Sequence, residues 1–295
     1  MIGIAFALLA ALCNGVSTID RHIASTADSH RPAGRKLVGW LLRNPLWLLG
    51  SAAQVGAFVF QALALNFSPL SIVQPVLVTE LVMTLILRRV WIRQQVAGAA
   101  WGGAVAACVG LTVFIVAADP RGGRPEAPAS HWAVAVLACG GAAAVLTVLG
   151  RGGSPARRAV LLALAAGVMW ALEAAFIKAA TDVGDQAGFG ALFTRWPVYA
   201  VAAGGLAGVV LEQGALQDGP LRVSQPLLVI TDPIVSIALS VWLFDEYFVL
   251  NAGVLAAAAG GFFVMCAGIV VLSQTAPSDL QADPGLAESA RPRSV

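Results

Sequence analysis

Charge is what this sequence has least of. Of its 295 residues 12% are Asp, Glu, Lys or Arg, while 58% are hydrophobic, and mean hydropathy is +0.81. That balance excludes an ordinary soluble domain. Net charge is only +2, so nothing points to a nucleic-acid partner. The four cysteines (Cys13, Cys108, Cys139 and Cys266) lie in apolar runs with neither paired nor metal-type spacing. They read as small packing residues, not as disulfides or ligands. His22, His30 and His131 sit at or near the ends of apolar runs, again without ligand spacing. No paired-histidine metal motif, serine-protease signature or phosphate-binding loop is present, so neither enzyme activity nor a cofactor is expected. The N-terminus lacks the basic region of a signal peptide, and Leu12 before Cys13 spoils a lipoprotein cleavage site. The first apolar run is therefore expected to remain as a membrane helix.

Long apolar runs are what the chain has instead. Nine of them are long enough to cross a bilayer: roughly 2–21, 46–66, 69–88, 97–117, 131–149, 159–181, 197–217, 220–243 and 249–273. The expected fold is an all-α integral membrane protein, a single transmembrane domain over 1–273 embedded in the lipid bilayer. The Gln-, Pro-, Ala-, Ser-, Asp- and Arg-containing segment 274–295 reads as a disordered cytoplasmic tail. Very short turns at Ser68-Pro69 and Gly219-Pro220 force antiparallel neighbours. With the N-terminus outside, fourteen of the 18 basic residues fall in cytoplasmic loops or the tail. Arg121, Arg124, Lys178 and Arg195 remain on the other side. The positive-inside rule thus predicts an external N-terminus and a cytoplasmic C-terminus.

The chain repeats itself. Pro69-Leu70-Ser71-Ile72-Val73-Gln74-Pro75-Val76-Leu77-Val78-Thr79-Glu80 returns as Pro220-Leu221-Arg222-Val223-Ser224-Gln225-Pro226-Leu227-Leu228-Val229, followed by Thr231-Asp232. Arg43-Asn44-Pro45-Leu46 resembles Arg195-Trp196-Pro197-Val198, Ala64-Leu65 matches Ala215-Leu216, and Trp91 matches Trp242. Spans one to four (2–117) therefore correspond to spans six to nine (159–273), with span five (131–149) as a linker helix. One odd connector gives two four-helix repeats of opposite topology, the architecture of many secondary transporters, whose sites lie near the midplane.

The candidate site residues are polar groups inside the spans. Glu80, Glu173 and Asp232 lie near the middle of spans three, six and eight, and Glu212 lies closer to the cytoplasmic end of span seven, matched by Gln61. A carboxylate in hydrocarbon costs about 2.5–3.5 kcal/mol on insertion scales, so it faces a cavity or a partner. Asn14, Ser17, Thr18 and Arg21 form a stripe on span one, and Gln54 and Gln61 share a face of span two. Trp170 stands three residues before Glu173, where its indole can wall a cavity, and Lys178 lies off that face toward the outside. Gln74 before Pro75 and Gln225 before Pro226 set amides beside carbonyls freed by proline, and Pro233 adjoins Asp232. Each has a plainer reading: amides as interhelical glue, prolines as kinks, Glu212 and Lys178 as snorkelling groups. The pairs Gly102-Gly103, Gly140-Gly141, Gly204-Gly205 and Gly260-Gly261 fit close helix packing, and equally a homodimer interface or rocking. Asp245-Glu246 reads as an acidic outward turn.

Ala62-Leu63-Ala64 through Pro69, Val73-Gln74-Pro75, the run ending in Ile177-Lys178 and the nine spans together resemble the drug/metabolite transporter superfamily. Within it the chain is similar to the NIPA-type magnesium transporter-like and EamA-like branch, over about residues 2–273. Leu243-Phe244-Asp245-Glu246 is similar to that superfamily's apolar run ending in a small residue and Glu, whereas the first half has Arg89-Val90-Trp91 without an acid. The resemblance implies a multi-pass plasma (inner) membrane transporter moving a small solute by alternating access. One alternative is a NIPA-type divalent cation transporter, with Glu173, Asp232 and Glu80 as oxygen ligands for magnesium. Another is a non-transporting membrane subunit.

Overall fold

The computed structural model describes residues 2–26, 45–91, 93, 96–123, 127–218, 221–248 and 251–275. Hydrocarbon offers no partner for a backbone N–H or C=O, so apolar runs of this length pair their own backbone as helices. In order these are α1 (Ile2–Thr26), α2 (Pro45–Phe67), α3 (Leu70–Leu77), α4 (Thr79–Trp91), α5 (Gly98–Ala118), α6 (Ala129–Gly150), α7 (Pro155–Ala187), α8 (Trp196–Asp218), α9 (Leu221–Phe244) and α10 (Ala252–Gln274). With α3 and α4 taken as one span, nine helices among the described residues are long and apolar enough to cross a membrane. The chain is a membrane-embedded helical protein. The tail expected from 274 onward lies, past Thr275, outside the described residues, as does most of the basic loop between α1 and α2.

Two details go beyond what the sequence announces. The third span, Leu70–Trp91, is one span whose helix is interrupted at a single residue, Val78. Pro75 lacks the N–H that would continue the ladder. The Val78 N–H then reaches back only three residues to the Pro75 carbonyl at 3.2 Å, and the Thr79 hydroxyl donates to the Val76 carbonyl at 2.7 Å. The helix tightens, stops and restarts. By contrast α9, which contains Pro226 and Pro233, runs unbroken. The fold is also not wholly α. β1 (Pro120–Gly122) pairs antiparallel with β2 (Glu246–Phe248), and Gly122 lies opposite Glu246. Asp119, left-handed at φ 33, turns the chain from α5 into this ribbon.

The ribbon marks one end of the bundle. Glu246 reaches the start of α3, Lys178 reaches Leu65 near the end of α2, and Trp132 meets Trp196 with ring centroids 5.0 Å apart. A side chain on Gly3 would collide with Ser68, so the N-terminus lies at the ribbon end too. The last turn of α10 packs at the other end, where Leu272 joins Leu85, Ala100 and Ala104.

Packing pairs α1 with α2 and with α3 and α4, and α7 with α8 and α9. α5 lies against α10, and α3 against α9. The α5–α10 contact is backbone against backbone. A Cβ on Gly103 would stand 2.9 Å from the Gly268 carbonyl oxygen, and one on Gly261 would stand 2.8 Å from that of Gly110. Seven-residue spacing on both antiparallel helices brings these glycines into register, as small-residue packing in membranes requires. α7 is the most enclosed span. Ser154 caps its start by accepting from the Arg157 N–H at 3.3 Å, with Pro155 in the first position. It therefore runs beyond the expected 159–181. α6 leans on α7, where Trp132 stacks on Phe176 at 5.5 Å.

Candidate functional site

Enclosure of α7 is what buries Glu173. Its side chain is 7% exposed and lies against α8, where a Cβ on Gly204 would be 3.3 Å from its Cβ and one on Gly205 would be 3.6 Å from its Oε1. Two consecutive glycines let the α8 backbone close over the carboxylate. On the other flank α9 brings Asp232 within electrostatic reach of Glu173. Asp232 accepts a hydrogen bond from the Ser236 hydroxyl at 3.1 Å, one turn further along α9. Glu173 makes no hydrogen bond or ion pair with any other described residue, and no Lys or Arg pairs with Asp232 among them.

The other carboxylates are placed differently. Glu212 on α8 accepts from the Trp170 indole Nε1 at 3.0 Å, and the Trp170 ring lies 3.0 Å from where a Gly208 side chain would begin. Trp170 thus spends its polar edge on Glu212 while lying one turn from Glu173 on α7. Glu80 is in the first turn of α4, just past the break, and is half-buried. No group of three or more His, Cys, Asp or Glu side chains that could hold a metal occurs among the described residues. Of the three candidate cation ligands, Glu173 and Asp232 lie within electrostatic reach of each other.

The amide groups divide as well. The Ser17 hydroxyl donates to Gln54 Oε1 at 3.2 Å and Gln54 Nε2 donates to Asn14 Oδ1 at 3.3 Å, so the expected faces of spans one and two do meet. The Arg21 side chain, last in that stripe, lies outside the described residues. Gln61 on α2 and Gln225 on α9 are half-buried. Gln74 on α3 is 2% exposed, and its Nε2 has no hydrogen-bond partner among the described residues. Lys178 is held near the ribbon end. Its Nζ donates to the Leu65 carbonyl at 3.4 Å, lies 3.9 Å from Asp182 and sits 5.3 Å above the Phe244 ring. It neutralises the negative end of α2.

Glu246 is the residue the sequence reading misjudged. It is not a tolerated acid in an exposed turn but a buried one, 2% exposed. Its carboxylate accepts from the Leu70 N–H at 2.9 Å, the Ser71 N–H at 3.3 Å and the Ser71 hydroxyl at 2.6 Å. A carboxylate at a helix N-terminus satisfies otherwise orphaned N–H groups. The acid after Phe244 and the Ser one residue into α3 were the available signal; their meeting across 175 residues is tertiary.

A Corynebacterium glutamicum protein described as uncharacterized is 28% identical over 278 residues, 93% of this chain and 96% of that protein. No family model and no solved structure matches the chain.

Proposed function

We propose that this protein is a transporter of the drug/metabolite transporter type that carries a small cationic solute across the plasma membrane by alternating access. One observation carries the reading. Two carboxylates on adjoining helices, Glu173 and Asp232, sit inside the spans with no basic partner among the described residues. Two uncompensated like charges in hydrocarbon are costly, so a bound cationic group or protons complete the site during the cycle.

Packing supports two inverted repeats joined by α6. Exchanging spans one to four with six to nine turns the α1–α2 contact into α7–α8, and α1 with α3 and α4 into α7 with α9. The α5–α10 and α3–α9 contacts map onto themselves. Repeats of this kind rock about a site at their interface. The basic residues Arg151, Arg157 and Arg158 belong to the end opposite the ribbon, which favours that end as cytoplasmic. A pair of carboxylates also suits magnesium, which takes one or two together with retained waters.

The test is uptake into proteoliposomes. Vesicles holding a magnesium-sensitive dye are challenged with magnesium, and parallel vesicles with labelled tetraethylammonium. Saturable uptake of either cation, lost in Glu173→Gln, is the expected result, and which cation enters fixes the class. No uptake of either by folded protein, or equal uptake by Glu173→Gln, contradicts the reading.

A further inference from the structure

We propose that Glu246 is the latch of a gate at the ribbon end and that α3 is the part that moves. The inference rests on the transporter reading for its purpose, though the latch is testable without transport. Glu246 belongs to the second half of the chain and α3 to the first, so their three hydrogen bonds tie the halves together at one end. The strand pairing with β1 holds the Glu246 backbone, and β1 extends from α5, whose glycine contacts fix it to α10. The latch therefore hangs from a pair of helices packed backbone against backbone.

What it holds is short and buried, packed against α1 and α9. α3 has eight residues and is set off from α4 at Val78, where the helical path continues but the ladder has lost a backbone bond to Pro75. With one end latched and the ladder weakened at the other, this segment is the part we propose bends away from α1 and α9 when the latch opens. Gln74 on this segment carries the unpartnered Nε2, a buried donor that finds no partner with the latch closed. Lys178 on the Leu65 carbonyl closes the same end beside it. Aligning Trp91 on Trp242 sets Gln95, an uncharged amide, against Glu246 in the first half. The three latch bonds are made in the conformation seen, which is closed at the ribbon end.

The experiment uses the full chain with its four cysteines replaced by Ala, in right-side-out membrane vesicles. A single reporter, Val73→Cys, is fully buried on α3. Its labelling by an impermeant maleimide added outside is timed, and Leu162→Cys near the opposite end serves as control. Glu246→Ala is expected to raise the Val73→Cys rate several-fold and leave the control unchanged. Ser71→Ala, which keeps both backbone bonds, is expected to raise it less. An unchanged rate in both variants, or an equal rise at Leu162→Cys, overturns the latch. Uptake measured on the same preparations separates the two proposals: latch-dependent labelling without any uptake leaves the latch standing and rejects transport.

Discussion

Glu173 and Asp232 are set apart from the other polar groups of the spans by what surrounds them. Glu212 has an indole, Lys178 a carbonyl and a carboxylate, and Gln54 a serine and an asparagine. Glu173 has no hydrogen-bond partner among the described residues, with glycine backbone on one flank and a second acid within electrostatic reach. Trp170 adjoins this pair without joining it, which predicts a separable effect. Trp170→Phe keeps the ring against Gly208 but leaves Glu212 one donor short, a loss of about 1–3 kcal/mol. Thermal unfolding in detergent should show that loss while cation affinity changes little; a large affinity loss with unchanged unfolding would show that the indole serves the site directly. Depth made Glu173 and Asp232 legible in the sequence, since a carboxylate far from either span end has few structural excuses. Glu246 was not legible. It follows an apolar run and looks like any acid in a turn, and its burial exists only once β1 and α3 arrive.

Among the elements, glycine decides where helices touch, and the sequence shows the glycines without showing which face they occupy. Of each expected pair on α5 and α10, one member is buried and the other has nothing within 4 Å: Gly103 and Gly261 pack, whereas Gly102 and Gly260 do not. Gly140-Gly141 on α6 likewise meets nothing. Neighbouring residues should therefore behave oppositely. Gly261→Ala drives a methyl into the Gly110 carbonyl and should lower the unfolding temperature by several degrees, whereas Gly260→Ala should be neutral or slightly stabilising, because Ala is the better helix former. Equal effects would contradict the α5–α10 contact. The break at Val78 was half-legible: Pro75 announced a disturbance, but Pro226 and Pro233 announced the same and α9 continues through both. Which proline ends a helix is set by how its neighbours re-pair the freed groups.

At the scale of the whole molecule, span number and alternation could be read directly, because hydrophobic length is local and the bilayer enforces it. The duplicated Gln-Pro segment is what suggested a correspondence between spans. It did not announce the unequal division of charge: the close carboxylate pair and Glu212 lie in the second half, while the first-half cluster is Asn14, Ser17 and Gln54. The central claim is that this asymmetric acid pair takes up a cation within the membrane. The most direct measurement is the charge displaced on a solid-supported membrane when protein in liposomes meets a jump in cation concentration. A transient inward movement of positive charge is predicted for the wild type and for Glu80→Gln, and its disappearance for Asp232→Asn. A current that survives Asp232→Asn and Glu173→Gln alike would contradict the account.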